Sequence, residues 1–168
     1  MSKLIVLSGV PGSGKSYFSN LFIKMKKSHV YVISSDKLRQ VVLGDQRDLS
    51  NEPLIWDIFY RLSEVYSHDK DALVILDACN VKEKYRTESI TKLIPLFDEI
   101  SLVMFKLDRS IVSKQNIDRD NPVPQHVLDM FLNEFEDVGE NDRKIYKHIY
   151  VIKDISNIPM IVDRIIQE

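Results

Sequence analysis

A glycine-rich loop near the start of the chain constrains the fold more than any other feature. The segment Gly9-Val10-Pro11-Gly12-Ser13-Gly14-Lys15-Ser16 fits the pattern G-x-x-x-x-G-K-[ST] of a phosphate-binding loop. It follows an apolar run and precedes a helical pattern, which is the context that the motif requires. Glycines let backbone N–H groups turn towards phosphate oxygens, and the following helix start adds more unpaired N–H groups. The residues predicted to bind nucleotide are Gly9, Pro11, Gly12, Ser13, Gly14, Lys15, Ser16 and Tyr17.

Two side chains of this loop have predicted chemical roles. Lys15 is expected to contact the β- and γ-phosphates of ATP, and the Ser16 hydroxyl is expected to bind Mg²⁺. The sequence therefore predicts ATP and Mg²⁺ as cofactors. The alternative is a glycine turn before a helix that has no role in nucleotide binding, but it does not explain why every fixed position of the pattern is present.

The rest of the chain alternates short apolar runs with helical patterns. The apolar runs span residues 4–7, 30–33, 73–76, 100–105 and 149–152. Helical stripes of apolar residues span 18–25, 54–65, 90–97, 127–135 and 158–166. Runs that are apolar at consecutive positions are typical of parallel strands covered on both faces. The chain is expected to form a three-layer α/β P-loop NTPase fold with a five-stranded, mostly parallel sheet, as a single domain over residues 1–168.

Composition excludes several classes of protein. The formal net charge of −2 argues against a basic field over the whole surface, so nucleic-acid binding would need a local groove. Cys79 is the single cysteine, which rules out an intramolecular disulfide. The four histidines lack metal-ligand spacing. Because the start of the sequence lacks a signal-peptide pattern or a membrane-length apolar run, a cytoplasmic location is expected.

The second apolar run is followed by Asp36 and Arg39. The carboxyl ends of parallel strands line the ligand crevice, so Asp36 is expected to face the phosphate-binding loop. An aspartate there can accept the proton of an attacking hydroxyl, and Arg39 can bind an anionic group of the acceptor. The alternatives are that Asp36 is only a helix N-cap and that Arg39 is an ordinary surface residue.

The third run ends in Asp77, as in a Walker B element that holds Mg²⁺. Asn80 continues into the crevice and Arg86 lies beyond it on the next predicted helix. After the fourth run, residues 109–124 form a helix-then-proline segment placed where a helical lid over ATP would lie, with Arg119 as its candidate phosphate contact. The alternative for this charged segment is a solvated face.

Together these motifs resemble the P-loop kinases typified by polynucleotide 5′-kinase domains. The resemblance extends from Met1 to about Phe135. The matching elements are Asp36 and Arg39 after the second strand, Asp77-Ala78-Cys79-Asn80 at the end of the third, Arg86 on the next helix, and Asn116, Arg119 and Val123-Pro124 in the lid. Cys79 replaces the usual threonine, and Asp118 and Asp120 flank Arg119 where the family tends to be basic.

The resemblance implies an adenylate-kinase-like fold with the phosphate-loop strand at the centre of the sheet. It also implies that Asp36 is the general base and that Lys15 and Arg119 stabilise the transferring phosphoryl group. Arg39, Asn80 and Arg86 would bind the acceptor, together with Asp36.

Three functions are compatible with these residues. The favoured one is an ATP-dependent kinase that phosphorylates the 5′-OH end of a polynucleotide. The alternative acceptor is the hydroxyl of a small molecule such as a nucleoside, nucleotide, sugar or antibiotic. A nucleotide-binding regulatory module is the non-enzymatic alternative; the guanine-recognition motif Asn-Lys-x-Asp is absent from the sequence, which makes a GTPase switch a poor fit.

Overall fold

Five parallel strands form one sheet, in the order β2-β3-β1-β4-β5. The computed structural model describes residues 1–26 and 28–168. The strands are β1 (Lys3–Ser8), β2 (Val30–Ser34), β3 (Leu73–Asp77), β4 (Glu99–Phe105) and β5 (His148–Ile152). All five predicted strands are present, and the predicted α/β fold class is confirmed. The strand that leads into the phosphate-binding loop is β1, and it lies at the centre of the sheet as expected.

Both faces of the sheet are covered, which explains why its strands are apolar at consecutive positions. Leu4 and Val6 of β1 pack into the cluster on one face, while Ile5 and Leu7 pack into the cluster on the other. All seven residues of β4 are buried. The sheet is therefore the middle layer of a three-layer domain.

Eight α-helices surround the sheet in the described part of the chain. They are α1 (Lys15–Lys26), α2 (Ser35–Leu43), α3 (Glu52–Tyr66), α4 (Glu83–Thr87), α5 (Arg109–Ile117), α6 (Gln125–Glu134), α7 (Glu140–Ile145) and α8 (Ile158–Gln167). Four of the predicted apolar stripes lie on helices, and each buries part of its stripe, as Phe18 and Phe22 do on α1. Within the ranges described, no helix has the length and apolar character needed to span a membrane.

The helix predicted over residues 90–97 is wrong. In its place the chain forms two short 3-10 turns, Glu88–Ile90 and Ile94–Leu96. Pro95 has no backbone N–H to donate, and its ring disfavours a helical residue before it, so a regular helix cannot run through this point. Ile90 and Leu93 are nevertheless buried, which shows that the apolar spacing identified core residues without the correct backbone conformation.

Candidate active site

The phosphate-binding loop joins β1 to α1, and it is built around glycines that no other residue could replace without strain. Gly12 and Gly14 have φ angles of +79° and +102°, a region that side chains with a Cβ rarely adopt. Gly9 has a different constraint, because a Cβ there would lie 2.5 Å from Ser13 Oγ and 2.9 Å from Phe105 Cβ. The sequence pattern thus reflects both backbone conformation and close packing.

Several polar groups of this loop have no protein partner among the described residues. Ser13 Oγ is buried and unpaired, and the N–H groups of Gly12 and Gly14 donate to no acceptor in the described residues. Lys15 Nζ donates to the carbonyl oxygens of Gly9, at 2.8 Å, and Val10, at 2.9 Å. Orphaned donors beside a lysine at a helix start have the chemistry of an anion site, so the residues present fit the phosphates of a nucleotide.

Asp77, the last residue of β3, lies at the same end of the sheet. Its side chain is buried and accepts no hydrogen bond from any residue that the structure describes. Burial raises the pKa of Asp77, and the positive charges of Lys15, Lys37 and Arg119 act in the opposite direction. A buried carboxylate without donors fits a cation. Ser16 is exposed in the first turn of α1, and its role as a second ligand stays a prediction.

Asp36 lies in the first turn of α2, and its side chain is 56% exposed. The N-cap of this helix is Ser34, whose hydroxyl accepts from the Lys37 N–H at 3.4 Å. Asp36 is therefore not the cap, and the alternative role considered for it from the sequence does not apply. Ser34 pairs with Asp77 in the sheet register, so Asp36 lies near the buried carboxylate, and its negative charge contributes to the raised pKa of Asp77.

Arg39 is buried rather than solvated, and it is already paired. Its Nε donates to Glu52 Oε1 at 2.7 Å and its Nη2 to Glu52 Oε2 at 2.8 Å, forming a two-pronged ion pair. Its Nη1 donates to Asp36 Oδ1 at 3.0 Å. Trp56 completes the group, since its indole N–H donates to Glu52 Oε2 and the guanidinium lies 5.9 Å from its ring centre.

Glu52 is the functional candidate that sequence reasoning missed. It lies in the first turn of α3, between the N-cap Asn51 and Pro53. Acidic residues are common at this position because they interact favourably with the helix dipole, so the sequence gives no sign of another role. Nothing in the sequence links it to Arg39, because thirteen residues and a loop separate the two.

Asn80 links the segment after β3 to the end of β1 by hydrogen bonds. Its φ angle is +43°, and its side-chain amide donates to the Leu7 carbonyl at 2.9 Å. The Ser8 hydroxyl in turn donates to the Asn80 carbonyl at 2.9 Å. These bonds fix the end of β1 against the segment after β3, so the structure gives Asn80 a role in shaping the loop; a direct contact with substrate stays a prediction.

Cys79 lies under the phosphate-binding loop. Its carbonyl accepts from the Gly9 N–H at 2.8 Å, and its Sγ lies 4.0 Å from Lys15 Nζ. Burial raises the pKa of the Cys79 thiol, which keeps it protonated and disfavours a role as a nucleophile.

Arg86 does not reach the crevice, which contradicts its predicted contact with substrate. Its side chain and that of Asp142 are fully buried and form an ion pair at 2.8 Å. All three guanidinium nitrogens donate inside the protein, to Asp142 and to the carbonyl oxygens of Asn80, Val81, Glu136 and Asp137. Because no donor points outward, Arg86 is a structural residue that joins α4 to the segment before α7.

The predicted lid consists of α5 and the loop before α6, and it lies directly against the phosphate-binding loop. A Cβ on Gly12 would lie 3.2 Å from the Asn116 backbone nitrogen and 3.3 Å from the Val112 carbonyl. Asn116 is buried and exchanges two hydrogen bonds with the backbone of Val123, at 2.8 and 3.0 Å.

Arg119 lies on the loop that Asn116 closes. One of its terminal nitrogens is buried without a hydrogen-bond partner among the described residues. Its positive charge acts to lower the pKa of both Asp77 and Cys79. On the outer side, Arg47 donates to the Pro122 carbonyl at 3.0 Å and links the α2–α3 loop to the lid.

Comparisons with known proteins identify a family and show that the fold is shared. Residues 4–138 match the protein family described as "AAA domain". Kti12 from Chaetomium thermophilum, solved in complex with ADP-AlF3, has a TM-score of 0.70 at 16% identity, covering 98% of this chain and 97% of Kti12. A fungal RNA kinase has a TM-score of 0.72 at 16% identity and covers 100% of this chain, which spans only 45% of that enzyme. A gluconokinase from Sinorhizobium meliloti 1021 has a TM-score of 0.63 at 19% identity, covering 96% and 87% of the two chains.

Proposed function

The chain belongs to this AAA-domain family of P-loop proteins, and on that premise we propose that it is an ATP-dependent phosphotransferase whose acceptor is a hydroxyl group. The observation that supports the proposal is that Lys15, Asp36 and Asp77 lie at the carboxyl ends of the neighbouring strands β1, β2 and β3, with the lid that contains Arg119 against the phosphate-binding loop. A nucleotide-binding module alone would need the loop and its lysine. It would not need an exposed carboxylate beside them.

In the proposed reaction Asp36 accepts the proton of the attacking hydroxyl. A bond forms between that oxygen and the γ-phosphorus, and the bond from the γ-phosphorus to the β–γ bridging oxygen breaks, which releases ADP. Lys15 exchanges the carbonyl oxygens of Gly9 and Val10 for phosphate oxygens. The unpaired nitrogen of Arg119 stabilises the charge of the transferring group.

Ser16 and Asp77 are the residues that would hold Mg²⁺. The ion would neutralise negative charge on the phosphates and would satisfy the buried Asp77 carboxylate. Burial raises the pKa of Asp77, and a bound cation would act in the opposite direction.

Two acceptor classes are supported by different observations. The Asp36/Arg39 and lid motifs favour the 5′-OH end of a polynucleotide, as the resemblance to polynucleotide kinases implies. The two acids beside Arg119 favour a small-molecule hydroxyl. One structural neighbour is named an RNA kinase and another a gluconokinase, so the fold accommodates both kinds of enzyme.

Transfer of label from γ-labelled ATP in the presence of Mg²⁺ tests the proposal. The acceptors are DNA and RNA oligonucleotides with a 5′-hydroxyl and, separately, a panel of nucleosides and sugars. Asp36→Asn is expected to slow transfer by roughly 10²–10⁴-fold while ATP binding is unchanged. Asp57→Asn, on the exposed side of α3, is the matched control and should transfer at the wild-type rate.

The outcomes separate the alternatives. A near-wild-type rate for Asp36→Asn would remove this residue from the mechanism. ATP binding without transfer to any hydroxyl would favour a regulatory nucleotide-binding module instead.

A further inference from the structure

The acceptor side of the crevice has an arginine whose charge is already neutralised. Three of the five N–H groups of Arg39 donate to carboxylates, two to Glu52 and one to Asp36. The Arg39 side chain is only 9% exposed, so it cannot swing into solvent to meet a ligand. An anionic group on the acceptor could bind more than the two remaining N–H groups of Arg39 only by displacing one of these carboxylates, whose two negative charges oppose its approach.

Glu52 is not easily displaced. Its two oxygens match the guanidinium fork, and one of them also accepts from the Trp56 indole at 3.1 Å. The hydrogen bond from Arg39 lowers the pKa of Glu52, so the carboxylate stays ionised at neutral pH. Its place in the first turn of α3 adds a favourable interaction with the positive end of the helix dipole.

The surrounding segments offer no surplus of positive charge to an anion. Residues 35–52 contain four acids and three bases, and the lid, residues 109–124, contains two acids and three bases. The formal charge of these two segments together is zero. A polynucleotide would instead meet a basic groove in a protein adapted to bind its phosphates.

We infer that Glu52 is an acceptor-selecting residue: it occupies Arg39 so that the site takes a hydroxyl compound without an anionic group beside the reacting hydroxyl, such as a nucleoside, sugar or polyol. This rests on the proposed phosphotransferase function and chooses between its two acceptor classes. The two remaining N–H groups of Arg39, one on each terminal nitrogen, donate to hydroxyl oxygens of the acceptor.

The test compares two probes that differ by a single phosphate, thymidine and thymidine 3′-monophosphate, which have the same 5′-hydroxyl. Binding of each is measured by titration calorimetry on protein saturated with Mg·ADP, so that the phosphate-binding loop is filled. Wild-type protein is expected to bind the monophosphate no more tightly than thymidine. Glu52→Gln frees the guanidinium, and the affinity ratio should shift towards the monophosphate by roughly 10- to 100-fold.

Two further variants assign the shift to Arg39. Asp57→Asn removes an exposed acid of the same helix and should leave the ratio unchanged. Adding Arg39→Gln to Glu52→Gln should abolish the gain. Loss of folding cannot produce a gain of affinity, and a variant counts as showing no gain only if it still binds ADP.

Two results would overturn the inference: tighter binding of the monophosphate by wild-type protein, or no gain for the monophosphate in Glu52→Gln. Neither depends on catalysis, because both are measured with ADP. Failure of the kinase assay would refute the proposed function separately.

Discussion

Arg86 and Arg39 each form a two-pronged pair with a carboxylate, yet they occupy very different regions of the molecule. The Arg86–Asp142 pair is fully buried between α4 and α7, and all three nitrogens donate to protein atoms. The Arg39–Glu52 pair joins α2 to α3, with Glu52 31% exposed and two N–H groups of Arg39 unused within the described residues.

The difference shows what separates an arginine that is fully used by the fold from one that could still bind a ligand. Both residues were predicted to bind substrate, and both are buried. What distinguishes them is whether any donor remains for a ligand after the protein's own acceptors are counted.

Breaking the buried Arg86–Asp142 pair should produce the largest loss of stability. Asp142→Asn leaves the Arg86 charge buried without a counter-ion, and the free energy of unfolding should fall by about 3–5 kcal/mol. Urea denaturation followed by circular dichroism measures this. A loss as small as that of an exposed pair would mean that Arg86 is not the structural centre that its hydrogen bonds indicate.

Breaking the Arg39–Glu52 pair should lower the stability much less. Glu52 is partly exposed, so after solvent screening Glu52→Gln is expected to lower the free energy of unfolding by about 1 kcal/mol. The same urea titration compares it with Asp142→Asn. Equal losses for the two variants would remove the distinction between the two regions.

The stability contribution of the Arg39–Glu52 pair should also depend on pH. The hydrogen bond from Arg39 holds the pKa of Glu52 below its ordinary value of 4.5. A carboxylate with a lowered pKa stabilises the folded state above that ordinary value, and the contribution is lost as the pH falls through the folded-state pKa. The stability difference between wild type and Glu52→Gln should therefore shrink as the pH falls from the ordinary value of 4.5 through the lower folded-state pKa. A difference that is constant over this range would contradict an ionic pair.

The smallest effect on stability is expected at Asp36. Its side chain is more than half exposed, so Asp36→Asn should change the free energy of unfolding by about 0.5 kcal/mol or less. Thermal denaturation checks this on the same preparation used for the transfer assay. A large loss of stability would mean that a slower transfer could not be ascribed to chemistry alone.

The strands and the phosphate-binding loop could be predicted because their signals are local. Five apolar runs and one glycine pattern each lie within a few consecutive residues, and the backbone conformations that they require appear at Gly12 and Gly14. The helix expected over 90–97 fails for a local reason too, since Pro95 interrupts a segment whose apolar spacing is otherwise helical.

The partners of the arginines could not be predicted, because the contacts join distant segments. Asp142 is fifty-six residues from Arg86, and α7, which contains it, has no long apolar stripe. Glu52 is nearer to Arg39, but only the packing of α2 against α3 brings the two side chains together. Whether an arginine has a donor left for a ligand therefore had to be determined from coordinates.

The two hydrogen bonds between Asn116 and Val123 have a consequence for loop entropy. Closing a flexible loop of n residues costs about (3/2)RT ln n in free energy, and here the amide of Asn116 holds the ends of the Arg119 loop together. That loss of chain entropy belongs to folding and is not repeated each time a nucleotide binds. An Arg119 that contacts phosphate as proposed would thus do so from a loop that is already closed, and the remaining ordering is confined to its own side chain.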